Sequence, residues 1–284
     1  MYWNLLIKTK KDPFAHLIQN KMIGLFLGST DFSKIVLDKI KKKKLKYFIV
    51  DLTNNNFFKK ENNSYYISIG KFGKILNLIK DKKCKKVLFA GKIDRPKILS
   101  LKFDVKGIYY LPRIFKASKL GDAAIIKELI KILHENKTKV IKSNFFNPEL
   151  TLRKGNICKI KPDKMDIINI KKGIKVLSQL NAYNHVQALV INNNIVIKKE
   201  TTKGTKKMLQ SINKNNGTGG ILIKFPKRKQ DLRADLPTVG IDTLIDCKKV
   251  NLKGIVLKSN QNIFIDKKKC ISFANKNKIF INVI

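Results

Sequence analysis

Apolar positions along this chain recur with two periods, and the alternation between those periods outlines the fold. "MIGLFLG" (22–28) is a short apolar run closing on glycine, the pattern of a buried strand. In the following "STDFSKIVLDKIKKKK", Phe32, Ile35, Val36 and Ile40 return at helical spacing behind a Ser/Thr/Asp start, which predicts a capped helix. Further strands are expected at "KYFIVDL" (46–52), "YYISI" (65–69) and "KKVLFAG" (85–91), with a helix over "GKFGKILNLIKDKK" before the last of them. A helical stretch from Pro112 to Asn136, broken near Gly121, and a strand over 137–143 continue the series. Strand and helix in such alternation specify an open α/β sheet with crossover helices.

The cadence fails over 144–163, "NFFNPELTLRKGNICKIKPD", where Pro148, Gly155 and Pro162 punctuate a stretch without periodicity. A domain junction is therefore placed near residue 152, dividing the chain into 22–152 and 153–284. The second half reads as helix 163–180, strand "VQALVI" (186–191), an "NNN" turn and strand "IVIKKE" (195–200), a hairpin signal. Helix 205–213, strand "GILIKF" (220–225), helix 242–249, strands at 254–258 and 262–265, helix 267–276 and strand 279–284 complete it. The halves share no repeat. The expectation is two α/β domains with the active-site cleft between them.

With 284 residues, 43% of them hydrophobic, the chain can bury a sizeable core. Its charge is extreme: 61 basic residues against 20 acidic ones, a net of +41, which first suggests nucleic acid or an anionic membrane surface. The basic residues are nearly all lysine, however, with only five arginines: Arg95, Arg113, Arg153, Arg228 and Arg233. Recognition of bases and phosphates favours the bidentate guanidinium fork. The lysines are also spread through the chain among many Asn, Ile and Phe residues, all types with A/T-rich codons, so a biased genome accounts for them. No nucleic-acid partner is expected.

Cys84, Cys158, Cys247 and Cys270 lie far apart and form neither a CxxC pair nor a Cys/His cluster, so reduced thiols are expected rather than zinc or disulfides. No apolar run approaches the ~18 residues of a spanning helix, and the opening stretch is too short in apolar residues for a signal peptide. A soluble cytoplasmic protein is expected. Residues 1–21 are read as an N-terminal extension, either a flexible arm or a stretch upstream of the true start.

Several loops carry candidate chemistry. "LGSTDFS" (27–33) joins a strand to a helix N-terminus, a natural phosphate site through backbone N–H groups and the helix dipole, but with Gly28 alone it is no dinucleotide fingerprint. In "FAGKIDRP" (89–96), Lys92 and Arg95 stand at a strand end, where open α/β sheets bind ligands. "LGDAAII" (120–126) puts Asp122 at a helix start, where a cap explains it equally well. In "KKETTKGTKKML" (198–209), Glu200 ends a strand as a candidate metal or base carboxylate, and Gly204 and Thr205 open a helix that Thr205 can cap. His16, His134 and His185 form no constellation, and covalent catalysis has no support.

The sharpest stretch is "KRKQDLRADLPTVG" (227–240). If 230–236 is extended, the period of two puts Asp231, Arg233 and Asp235 on one face. An arginine between two carboxylates can neutralise them as a structural loop. The same trio with Mg²⁺ can hold a phosphoryl group, with Gln230 orienting a water and Lys224 and Arg228 binding outer oxygens.

At this motif the chain resembles the LpxI-type UDP-2,3-diacylglucosamine pyrophosphatases of lipid A biosynthesis, whose signature is matched by Gln230, Asp231, Arg233, Asp235, Leu236, Pro237 and Gly240. "AGKIDRP", "GDAAII", "VQALVI" and "KGTKKML" continue the similarity in the family's order, so it spans essentially residues 22–284. The resemblance implies a Rossmann-like N-terminal domain, a distinct α/β catalytic domain, and Mg²⁺-dependent hydrolysis of a lipid-linked sugar nucleotide to UMP and lipid X (2,3-diacylglucosamine 1-phosphate). It implies metal binding or water activation by Asp231 and Asp235, with Asp231 first, and Glu200 as a further metal ligand. Gln230 and Arg233 would assist. Gln187, Gly204, Thr205, Lys224 and Asp122 would lie at the substrate, with Gly28, Ser29, Lys92 and Arg95 reaching it from the other domain. Two departures stand out: "LGSTDFS" keeps less glycine than the family's first loop, and Lys203 and Lys206 replace acidic positions around the "GT" turn. An acylated substrate also fits peripheral contact between a lysine-rich surface and anionic lipids of the inner membrane.

Overall fold

The computed structural model describes residues 21–93, 101–180, 186–213 and 219–284. Its N-terminal part runs β1 (Ile23–Leu27), α1 (Asp31–Lys42), β2 (Tyr47–Asp51), β3 (Ser64–Tyr66), α2 (Phe72–Asp81), β4 (Lys86–Ala90), α3 (Val105–Ser118), α4 (Asp122–Glu135) and β5 (Lys139–Ile141). The strands form one parallel sheet in the order β3-β2-β1-β4-β5. β1 is the centre, and the apolar run that announces it is buried along its whole length. Alternation sorts its side chains: Ile23, Leu25 and Leu27 pack with Val36, Leu37 and Ile40 of α1, while Phe26 packs with Ile75, Leu76 and Ile79 of α2.

The C-terminal part comprises β6 (Gly155–Asn156), α5 (Lys164–Gln179), β7 (Ala188–Asn192), β8 (Ile195–Lys199), α6 (Gly204–Gln210), β9 (Ile221–Lys224), β10 (Thr238–Val239), α7 (Ile241–Lys249), β11 (Gly254–Leu257), β12 (Ile263–Phe264), α8 (Lys267–Lys276) and β13 (Phe280–Val283). Six strands form a mixed sheet, β6-β13-β11-β9-β7-β8, in which β13, β11 and β9 are parallel and β7 and β8 make the expected antiparallel hairpin. β10 and β12 pair separately. Asp163 and Asp166 cap α5 reciprocally, each carboxylate accepting from the other residue's backbone N–H.

Several elements depart from the pattern reading. β6 and β10 are two residues each, too short to show a period, whereas β12 falls within the strand expected at 262–265. α3 starts at Val105, about two turns before the proline expected to open it. Its start is fixed by Asp104, whose carboxylate accepts from Gly107 N at 2.7 Å and from Gly73 N and Lys74 N at 3.0 and 2.9 Å, so one side chain caps α3 and ties it to the first turn of α2. Thr30 occupies the cap position of α1 without a side-chain cap bond, contrary to the expected cap. Gly121, at φ +108°, makes the break between α3 and α4.

The two parts are joined by more than the chain. Leu236, Ile263 and Ile265 pack into the core that contains β1 and α1, and Ser143, just past β5, donates its N–H to Arg233 O at 2.6 Å. The loop carrying the 227–240 motif thereby lies against the N-terminal domain.

Candidate active site

In a parallel sheet with crossover helices, strand C-termini and helix N-termini share one edge, the usual ligand edge of open α/β folds. Here that edge carries the Gly28 loop after β1, Lys92 after β4, Ser143 after β5 and Asp122 at the start of α4. Gly28 N donates to Ala90 O and Ser29 N to Lys92 O, each at 2.9 Å, and a Cβ on Gly28 would collide with the Lys92 carbonyl. Gly28, Ser29 and Lys92 thus bond to neighbouring backbone at this edge, with the Lys92 side chain exposed. Arg95 and His185 lie outside the described residues.

The motif is not extended. Ala234 N and Asp235 N both donate to Asp231 O, at 3.1 and 3.0 Å, closing a helical turn. The Asp231 carboxylate holds that turn by accepting from Arg233 N at 3.0 Å, an Asx turn that competes successfully with a strand. The expected alignment of three side chains on one face is therefore overturned. Arg233 curls back onto Asp231 alone, Nε to Oδ1 at 2.9 Å and Nη2 to Oδ2 at 2.7 Å, while Asp235 faces a different set of groups. The Arg233 guanidinium, aided by Lys127 of α4 against the cost of burial, holds the Asp231 carboxyl below the usual carboxylate range.

Asp235 is shifted the other way. Burial pushes its carboxyl up and Asp122 of the N-terminal domain adds to the rise, while Lys227, Gln230 and Lys224 oppose it. Gln230 is buried, its Oε1 accepting from Lys227 N at 2.8 Å. Its Nε2 approaches Asp235 closely enough to favour the ionised carboxylate but makes no hydrogen bond of full geometry. A buried amide in that state is a donor awaiting an acceptor.

Behind Asp235 lies a buried charge cluster. Lys224 ends β9 at 7% exposure and donates to Thr238 O at 2.9 Å. Burial drives its ammonium down, and Glu200 and Asp235 pull it back up. Glu200, 3% exposed at the end of β8, accepts from Gln187 N at 3.0 Å and from Thr205 Oγ1 at 2.7 Å. This corrects two expectations about capping: the Thr205 hydroxyl serves Glu200 and does not cap α6, and Asp122 is the first residue of its helix with Gly121 in the cap position. Gly204, at φ +85°, makes the turn that brings Thr205 back to Glu200.

The structure therefore gathers Asp122, Gln187, Glu200, Thr205, Lys224, Gln230, Asp231, Arg233 and Asp235 around the domain junction. Lys127 and Lys227 join them unforeseen; on a chain with lysine everywhere, no sequence signal separates these two from the rest. His134 is exposed and the four cysteines are buried free thiols. Two carboxylates that repel across the junction suit a divalent cation in charge and in donor type. Among the described residues no three His, Cys, Asp or Glu side chains converge as a complete metal cage. Mg²⁺ held by one or two carboxylates and completed by phosphate oxygens needs no such cage.

Comparison with known proteins adds a family. The LpxI N-terminal domain model matches residues 22–150 and the LpxI C-terminal domain model matches residues 153–282. Over 223 residues the chain is 27% identical to the UDP-2,3-diacylglucosamine pyrophosphatase LpxI of Caulobacter vibrioides, covering 76% of this chain and 80% of that protein.

The opposite shifts of the two motif aspartates are measurable. In a carboxyl-detected NMR titration, Asp231 is expected to ionise below the ordinary aspartate range and Asp235 above it. Arg233→Ala should move Asp231 upward and leave Asp235 nearly unmoved. An Asp231 that titrates identically in both proteins would refute the assigned pairing.

Proposed function

The chain belongs to the LpxI family, and on that premise we propose that it hydrolyses the pyrophosphate of UDP-2,3-diacylglucosamine, releasing UMP and 2,3-diacylglucosamine 1-phosphate in lipid A synthesis. The observation that carries this reading is the pair of carboxylates, Asp122 and Asp235, set against each other across the domain junction and flanked by Lys224 and Lys227. A pyrophosphate brings the complementary need: its negative oxygens require cations, and its phosphorus requires a water stripped of a proton.

The residues divide that work. Asp235, whose carboxyl is already raised, is the group to take the proton of the attacking water, and the unpartnered Nε2 of Gln230 is placed to orient that water. Water adds to the sugar-side phosphorus, the bond to the bridging oxygen breaks, and UMP leaves with that oxygen. Arg233 keeps nearly half of its side chain exposed, so its fork can turn from Asp231 to a phosphate. Mg²⁺, which supplies charge neutralisation at the phosphoryl oxygens when bound, would be held by one or two of these carboxylates, Asp235 with Asp122 across the junction or with the released Asp231. Glu200 is filled by Thr205 and Gln187, and its part is to anchor Lys224 rather than to bind the metal.

The substrate is a lipid, and the enzyme needs access to a membrane. No described helix is long and apolar enough to cross one. The outer face of α3 offers peripheral contact instead: Val105, Ile108 and Tyr109 are 84%, 60% and 73% exposed, among exposed Lys102, Lys106, Lys116 and Lys119. Apolar groups that can enter the headgroup layer, ringed by lysines, suit the anionic cytoplasmic face of the inner membrane.

Purified protein should release UMP from UDP-2,3-diacylglucosamine with Mg²⁺ and fall silent with EDTA. Heavy-oxygen water should label the sugar phosphate. Asp231→Ala and Asp235→Ala should each reduce kcat by roughly a hundredfold or more; full activity in both would move the reaction elsewhere. For the membrane contact, the protein should float with phosphatidylglycerol liposomes at low salt and be released by high salt. An Ile108→Asp, Tyr109→Asp double variant that floats equally well would remove α3 from that contact.

A further inference from the structure

β9 and β11 are neighbouring parallel strands of the C-terminal sheet, and they separate at one point. Their register runs from Ile221 opposite Gly254 to Lys224 opposite Leu257. One step further, the backbone N–H of Lys258 is the next donor of β11 to face β9, and the carbonyl of Lys224 is its acceptor in a regular parallel ladder. The side-chain amide of Asn262 takes the place of that bond. Lys258 N donates to Asn262 Oδ1 at 2.8 Å, and Asn262 Nδ2 donates to Lys224 O at 3.1 Å. On its other side β9 keeps to its neighbour, because Phe225 N still donates to Gln187 O at 2.8 Å, just before β7. The opening is therefore local to the carboxyl ends of β9 and β11, the edge at which parallel sheets receive ligands.

Asn262 is 2% exposed, and its chemistry suits the place. One planar amide offers an acceptor and a donor together, which is what an N–H and a carbonyl facing each other need. An aspartate would set an oxygen against the Lys224 carbonyl, and an apolar side chain would leave both backbone groups dry and unpaired. The position of Asn262 is fixed from behind. Ile263, the next residue, opens β12 and donates its N–H to Pro237 O at 2.9 Å, and Ile265 N donates to Val239 O at 2.9 Å, so β12 is held along β10. β10 in turn receives the Lys224 ammonium, on Thr238 O at 2.9 Å. The bonds close a ring that leaves Lys224 by its carbonyl, passes through Asn262, β12 and β10, and returns to its side chain. Asp235 stands three residues before Thr238 on the same stretch, with Lys224 among the cations that offset its charge.

We propose that Asn262 is a positioning residue for the hydrolysis: its amide wedges β9 from β11 and so holds Lys224 in reach of Thr238 and of Asp235. The proposal rests on the function given above for the reaction, and on the ring of hydrogen bonds for the place. Without the wedge the ladder can close by one step, with Lys258 N donating directly to Lys224 O. That closure draws the end of β9 towards β11 and takes the Lys224 ammonium off the β10 carbonyl, so Asp235 loses the cation beside it. A closed ladder would satisfy the two backbone groups equally well. The insertion is accounted for by what it does to Lys224.

The test compares the full-length wild type with Asn262→Ala in UMP release and melting, beside NMR couplings across the hydrogen bond of the Lys258 amide. In wild type that amide should couple to the side-chain carbonyl carbon of Asn262, and in Asn262→Ala to the backbone carbonyl carbon of Lys224. The variant should keep its Tm within a few degrees, because the closed ladder replaces the lost bonds. Its kcat should fall roughly tenfold or more with KM within about threefold of wild type. A residue that only supports the fold would instead lower Tm and leave the kcat of the folded protein unchanged, and that result overturns the proposal. Action through Lys224 is read from a double-mutant cycle. On a Lys224→Met background, Asn262→Ala should cost less than about twofold in kcat, and an undiminished cost there also overturns the proposal. Should Asn262→Ala fail to fold, Asn262→Ser, too short to bridge both backbone groups, decides by the same measurements. A wild type that releases no UMP defeats the hydrolytic reading and the proposal with it, whereas an active wild type whose kcat is indifferent to Asn262 defeats the proposal alone.

Discussion

A carboxylate placed near another carboxylate and away from water is costly unless cations share the space, and the arrangement around Asp235 is governed by that constraint. Asp122 reaches it from the N-terminal domain, Lys224 and Lys227 offset the charge from the C-terminal side, and Gln230 approaches without completing a bond. Lys224 in turn would be untenable without Glu200, and Glu200 without the donors Thr205 and Gln187 that fill its oxygens. Each member is tolerable because of the next. The chain of dependence runs from a strand end in the C-terminal sheet to a helix start in the N-terminal one.

Much of the fold was legible because buried strands announce themselves. β1, β4, β9 and β11 are uninterrupted apolar runs, and the crossover helices between them show the helical period plainly. The site was legible in membership but not in geometry. The "QDLRADLP" run identified its residues, yet a period-two reading placed Asp231, Arg233 and Asp235 on one face. Local competition decided otherwise: the Asp231 side chain bonds Arg233 N and pulls the segment into a turn, so the two aspartates have different partners and opposite shifts. Likewise Asp104, a single acid in a lysine-rich stretch, gave no sign that it would cap one helix and hold another. Such cross-element bonds depend on tertiary placement, which no periodicity carries.

The lysine excess illustrates the converse. Its magnitude dominates the composition but not the site, where the decisive cations are buried or partnered by position. Lys224 has lost its water and Arg233 is engaged in a fork. Much of the remaining positive surface, Lys102, Lys106, Lys116 and Lys119 of the α3 region included, is exposed. It stands next to the bare apolar residues of α3, Val105, Ile108 and Tyr109.

The central claim is that Asp122 and Asp235 act as one unit across the domain junction, and a double-mutant cycle on UMP release tests it most directly. Asp122→Asn and Asp235→Asn should each slow the reaction, and the double variant should be little slower than the worse single one. Losses that multiply in the double variant would mean that the two carboxylates work independently and that the junction is not the seat of the chemistry.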